Sequence, residues 1–243
     1  MIVEQSTPQS SDEVIQFDHR FVDERLLEWD AELQALDRVR DEMLELSLMF
    51  WDENEGLKGI GHGNVALVRR NGLLVVSASQ MQREREVGPE GYTEIVACDL
   101  TRNQVYVRGV NKASSETLAS YEIARRVSRI MDRMEGRETE GLRPGIAVLH
   151  PHGKIMHAYG EALGLQQSSG EFEAGTVGFA RECGDAVDSI ALDEAIFVTP
   201  KHQGEFIVAQ NLGRAVQIMI WNLQRGQALV RPYGKANKIR TGF

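Results

Sequence analysis

Ile146-Ala147-Val148-Leu149-His150-Pro151-His152 is the stretch on which the reading of this chain turns. Four consecutive apolar residues read as a buried strand. In a strand, alternate side chains project to the same face, so His150 and His152 leave its end on one side. Two imidazoles placed in that way can grip one metal ion. A tetrahedral Zn²⁺ takes nitrogen ligands at about 2.0–2.1 Å, and a catalytic site commonly has three protein ligands and one open position. The alternative is a pair of solvated imidazoles at a strand end. Pro151 fixes the backbone between them.

Working outward, further strands are predicted at Val65–Val68, Leu73–Val76, Glu94–Asp99 and Gln104–Val107, with Asn71-Gly72 and Asn103 at the turns. Beyond the His pair, Ala195–Thr199 and Glu205–Ala209 read as strands around Pro200-Lys201-His202-Gln203-Gly204. Helical periodicity runs from Phe21 to Phe50, as one long helix or two joined ones, and again from Ser114 to Met134. It returns from Asn211 to Gln227, with Ala215, Ile218, Met219 and Leu223 facing inward. His157–Leu163 could open a further helix, and the Gly-, Gln- and Ser-rich Gly164–Gly175 reads as a loop. The expected architecture is one α/β domain over residues 20–230, with a central mixed or largely antiparallel sheet flanked by helices. Residues 1–19 read as a loosely ordered tail and 231–243 as a basic tail with four cationic side chains and no acid.

Composition narrows the function. The 243 residues are enough for a substantial core, and 42% hydrophobic with 26% charged residues is ordinary for a soluble protein. A net charge of −9 argues against nucleic acid as a partner, since phosphate binding needs a dense basic surface. No apolar run approaches the roughly 20 residues needed to span a bilayer, and no secretory signal opens the chain. The two cysteines, Cys98 and Cys183, form no CxxC pair, so a reducing cytoplasm is expected.

Among six histidines, His202 lies in a turn after a strand and is the choice for a third ligand. His62, in the glycine-rich Gly59-Ile60-Gly61-His62-Gly63-Asn64, could face the same cavity. That segment follows a helix and precedes a strand, the reverse of a dinucleotide-binding turn. Ser114 is placed to cap the helix that follows it. With Ser115 and the helix amides it could hold an anionic group, while Glu116 reaches toward the metal. A carboxylate beside a divalent cation can exchange protons with a substrate.

Taken together, these pieces resemble the class II aldolase/adducin family. Gly63-Asn64-Val65, Ser77-Ala78-Ser79, Ser114-Ser115-Glu116, His150-Pro151-His152 and His202-Gln203-Gly204 follow the order of its motifs over roughly residues 25–230. The resemblance implies that His150, His152 and His202 hold a divalent cation, with Glu116 able to join them. Zn²⁺ is favoured, and Mn²⁺, Co²⁺ or Fe²⁺ could serve. It makes Glu116 the acid/base group and places Asn64, Ser77, Ser79, Ser114 and Ser115 around the substrate. The implied activity is a metal-dependent carbon–carbon lyase of carbohydrate metabolism. Such an enzyme cleaves or forms an aldol bond in a small, sugar-phosphate-like hydroxy-carbonyl through a metal-stabilised enediolate. The same scaffold also supports dehydratases, epimerases, decarboxylases and non-catalytic adducin-like interaction proteins. The implied assembly is a homotetramer with active sites between subunits, binding a small molecule and neither nucleic acid nor membrane. Two departures stand out: Gln80 replaces the glycine expected after Ser79, and Ala66 a serine.

Overall fold

The computed structural model describes residues 17–52, 60–79, 81, 87–138, 140–153, 155–156, 160, 175–187, 195–198 and 205–230. In chain order the strands are β1 (Asp18–Asp23), β2 (Phe50–Asp52), β3 (Ile60–His62), β4 (Asn64–Val68), β5 (Leu74–Ser77), β6 (Tyr92–Asp99), β7 (Gln104–Arg108), β8 (Ala147–His150), β9 (Ala195–Val198) and β10 (Glu205–Ala209). The helices are α1 (Ala31–Glu45), α2 (Thr117–Met134), α3 (Val177–Val187) and α4 (Leu212–Val230). Eight strands form one sheet in the order β1-β7-β6-β5-β4-β8-β10-β9, and β2 and β3 form a separate hairpin. Among the described residues, only β1 and β7 pair in parallel; the other pairings of the large sheet are antiparallel.

Strand alternation divides the interior into two layers. Ala66, Val68, Leu74, Val76, Ile95, Val107, Val148, Phe206 and Val208 face α2 and α3. Val65, Leu67, Val75, Ala147, Leu149, Ile207 and Ala209 face α1 and α4. Every residue of β4, β5, β8 and β10 is buried, because helices cover both sheet faces there. The result is a three-layer α/β/α domain with a mixed, mostly antiparallel sheet, as the sequence led us to expect. The Asn71-Gly72 turn joins β4 to β5 with Gly72 at φ +79°, and Asn103, at φ +55°, turns β6 into β7. The inward residues of α4 are the expected Ala215, Ile218, Met219 and Leu223.

Several elements differ from the sequence expectation. The helix expected from Phe21 to Phe50 is a strand, a helix and a strand. Asp18–Asp23 pairs with β7 from Asp18 opposite Gln104 onward, and the helix starts at Ala31. Asp30 sets that start by accepting hydrogen bonds from the Glu32 and Leu33 amides at 3.1 and 3.0 Å. Leu26, which fitted the helical spacing, is 52% exposed. Of the tail expected over residues 1–19, the described part is packed: Phe17 is buried and His19 Nε2 accepts from the Ala113 amide at 3.1 Å, while residues 1–16 lie outside the described residues. α3, not foreseen, buries Phe179, Ala180, Cys183, Ala186 and Val187 against α2. His202, all but residue 160 of the 157–163 helix, most of the 164–175 loop and the 231–243 tail lie outside the described residues. Among the described residues, no helix is long and apolar enough to cross a membrane.

Candidate functional site

The site grows from the pairing of β4 with β8, which sets Asn64 directly opposite His150. Both belong to the alternation that faces α2, so both project toward the chain entering that helix. Both are buried, as is His152. His152 lies beyond the end of the strand, where its amide donates to the Leu48 carbonyl at 2.8 Å. The two imidazoles meet with Nε2 atoms 2.8 Å apart.

Two contacts fix the His150 ring. Its Nδ1 lies 3.0 Å from the Glu205 carbonyl oxygen, which can only accept, so Nδ1 carries the proton and Nε2 presents its lone pair. Its face stacks on Phe206 with centroids 4.0 Å apart and planes 12° from parallel. Burial pushes the His150 pKa down, against the pull of the Glu116 carboxylate. It pushes His152 well below the ordinary value, and His150 and His62 add to that effect. Both rings are therefore neutral at physiological pH, the form in which imidazole binds a cation.

Glu116 forms the opposite wall. Helix α2 begins at Thr117, so the cap position is held by Glu116 and not by Ser114 as expected. The Ser114 carbonyl accepts from the Thr117 amide at 3.1 Å and its hydroxyl at 2.6 Å, and the helix starts two residues later than a Ser114 cap would place it. This turn aims the Glu116 side chain back at the sheet. Asn64 Nδ2 donates to Glu116 Oε2 at 3.1 Å and Ser114 Oγ donates to the same oxygen at 2.7 Å. Among the described residues, no hydrogen bond reaches Oε1.

The serines are brought to the same end. Ala78 bridges Ala113, Ser79 donates its amide to the Lys112 carbonyl at 2.8 Å, and Ser114 donates its amide to the Ser77 carbonyl at 3.3 Å. The Ser77 hydroxyl accepts from the Val65 amide at 3.3 Å, so it ties β5 to β4. Ser79 and Ser115 are half-buried. Of the expected site residues, Asn64, Ser77, Ser79, Ser114, Ser115, Glu116, His150 and His152 therefore gather at one end of the β4–β8 region. His202 is not described. Sequence reading gave no sign that Glu205 and Phe206 would hold His150, because that depends on the β8–β10 register.

The donor set suits a divalent cation: two neutral imidazoles with converging Nε2 atoms, one of them oriented by a carbonyl, beside a carboxylate. His150, His152 and Glu116 would hold such an ion. Among the described residues, no three His, Cys, Asp or Glu groups converge on a single point as they stand.

No protein-family model matches this sequence, and neither does any curated protein. Solved structures do. YgbL from Escherichia coli, a candidate aldolase/epimerase/decarboxylase, superposes with a TM-score of 0.53 at 14% identity, covering 82% of this chain and 90% of its own. The chain has a class II aldolase/adducin-like fold. YgbL from Klebsiella pneumoniae, of the same description, gives 0.52 at 13% identity over 81% of this chain and 88% of its own. At such identity the likeness is one of fold, and residue roles rest on this chain's own geometry.

Proposed function

We propose that the protein is a divalent-cation-dependent lyase acting on a small hydroxy-carbonyl compound. His150, His152 and His202 hold the ion, Zn²⁺ by preference, and Glu116 moves the substrate proton. The observation that carries this reading is the approach of the His150 and His152 Nε2 atoms to 2.8 Å, facing a carboxylate held through one oxygen. When bound, the cation supplies Lewis acidity toward the carbonyl.

The protein's own groups supply the rest. Asn64 and Ser114 hold Glu116 Oε2, which orients Oε1 as the oxygen that takes a proton from the substrate carbon and returns it. Ser79 and Ser115, half-buried at the same end, can donate hydrogen bonds to substrate oxygens. Ser77 Oγ accepts from the Val65 amide, and its O–H can still donate to a substrate oxygen. The YgbL proteins are candidate aldolases, epimerases or decarboxylases, and aldol cleavage is the reaction favoured for this chain.

Elemental analysis of the purified chain beside a His150→Ala/His152→Ala variant tests the proposal. About one Zn²⁺ per chain, lost in the double variant, is expected. A wild-type chain that neither carries nor takes up a divalent cation would overturn it. For the reaction, release of an aldehyde from a hydroxy-carbonyl substrate is the expected result; loss of water or CO₂ would move the assignment to a dehydratase or decarboxylase.

A further inference from the structure

His62 has no part in the roles above, yet the backbone brings it to the same place. It pairs with Phe50 across the β2–β3 hairpin. Gly63, at φ +88°, then turns the chain directly into β4, a conformation that favours glycine. A Cβ at position 63 would lie 2.8 Å from Met49 Cγ and 3.1 Å from the carbonyl oxygens of His150 and Leu48. The Leu48 carbonyl is also the acceptor of the His152 amide. Residues 48–49, 62–64 and 150–152 are thus packed as one unit, and the tight turn at Gly63 sets where the His62 ring stands.

That position is beside the imidazole pair. The His62 ring centroid lies 5.1 Å from that of His152 with planes at 50°, and His152 lies 4.4 Å from His150. Two imidazoles bound to one tetrahedral ion at ~2.0–2.1 Å have centroids roughly 5 Å apart. The His62–His152 spacing is close to that of two ligands sharing an ion, the His150–His152 spacing is shorter, and as they stand no three such groups among the described residues converge on one point. Of the three rings, His62 is the half-exposed one, while His150 and His152 are buried.

We propose that His62 is a further ligand of the cation site, approaching from the solvent side and occupying the coordination position that a substrate would take. This inference rests on the metal-dependent reading above and extends it to a residue that reading leaves out. An imidazole in that position keeps the resting ion fully coordinated, and it must leave when a substrate binds.

The test is a Co²⁺ titration of the full chain after stripping with a chelator, followed by visible absorption and by the rise in melting temperature on binding. The wild type is compared with His62→Ala, His62→Phe and His150→Ala; the phenylalanine variant keeps a ring in the hairpin and carries the test should the alanine variant fail to fold. We expect both His62 variants to bind Co²⁺ roughly 10–100-fold more weakly, the scale of a lost interaction at a metal site, and with an altered absorption band. His150→Ala should lose binding. If the His62 variants bind with wild-type affinity and spectrum while His150→Ala does not, His62 is no ligand and the metal-dependent reading stands without it. If the wild type binds no Co²⁺, both fall.

Discussion

Two buried polar clusters share the large sheet, and they are built on opposite plans. Near the β6–β7 side, Glu94, 1% exposed, is held by two guanidinium groups: Arg69 Nη1 at 3.4 Å and Arg108 Nη1. Arg69 also bonds Asp30 at the start of α1, and Asn71 Nδ2 donates to Glu94 at 2.9 Å. Charge answers charge, although Arg69 Nε and Arg108 Nε are buried without a hydrogen-bond partner among the described residues. At the end of β4 and β8, the buried groups are neutral imidazoles, with His152 Nε2 donating to His150 Nε2 at 2.8 Å, beside the Glu116 carboxylate. The first arrangement pins a helix to a sheet. The second buries neutral polar rings without a counter-charge of its own, which contributes little to stability.

The sharpest way to break this contrast is a pair of isosteric changes. Glu116→Gln should lower turnover by about 10²–10⁴-fold, the usual range for an acid/base group, and leave the melting temperature almost unchanged because Glu116 is only half-buried. Exchange of the substrate α-proton in D₂O reads the first effect and calorimetry the second. Glu94→Gln should do the reverse. Removing the central carboxylate leaves Arg69 and Arg108 partly uncompensated in a buried setting, which costs about 3 kcal/mol, while the metal content stays that of the wild type. Denaturant unfolding checks this. A stable Glu94→Gln protein, or a strongly destabilised Glu116→Gln protein, would erase the distinction between the clusters.

The two clusters also differed in how legible they were. Asn64, Glu116, His150 and His152 stood out because each belongs to a short motif whose neighbours set its direction. The strand Ile146–Leu149 and the glycine before Asn64 are readable one residue at a time. The Arg69–Glu94–Arg108 cluster was invisible, because it exists only once three strands take their register. The missed strand β1 has the same cause. Its partner β7 lies some 80 residues further on, and its charged alternation gave no apolar face to detect. By contrast, α3 carried a legible signal in Phe179, Ala180, Cys183 and Ala186, spaced at helical intervals but bordered by segments of mixed composition. His62 could be read as facing the same cavity, but the pairing of Phe50 with His62 that turns its ring toward His152 could not be read in advance.

A third change sharpens the comparison through pH. Glu205 is fully buried, and burial raises its carboxyl to about 8, against the hydrogen bond from Asn222 Nδ2 at 3.2 Å. In the unfolded chain this carboxyl ionises near 4.5. Between those values the folded chain keeps a proton that the unfolded chain has shed, so stability falls as pH rises from about 4.5 to 8 and levels off above. The slope approaches about 1.4 kcal/mol per pH unit. Glu205→Gln should remove this contribution and make the protein more stable at pH 8 than the wild type, with little difference at pH 4. Unfolding curves at the two pH values measure it, and equal destabilisation at both would show that the residue acts through packing alone.

The smallest expected effect concerns how firmly the imidazole site is held. Phe206 stacks on His150 and also belongs to the core packed against α3. Leucine at 206 would keep an apolar side chain in that layer and should cost about 1 kcal/mol, since the swap is hydrophobic but loses ring contacts. It cannot stack on the imidazole, so the His150 ring would keep its Glu205 carbonyl bond but gain freedom to rock about it. Cation affinity should then fall by a few fold, far less than in His150→Ala. An unchanged affinity would mean that the carbonyl bond alone orients the donor nitrogen. A loss as large as that of His150→Ala would mean that the two faces of the sheet strand β10 are equally necessary: the carbonyl that fixes the tautomer and the aromatic ring that fixes the plane. In the Glu94 cluster, orientation follows from opposite charges drawn together; here it depends on a neutral ring lying flat against another.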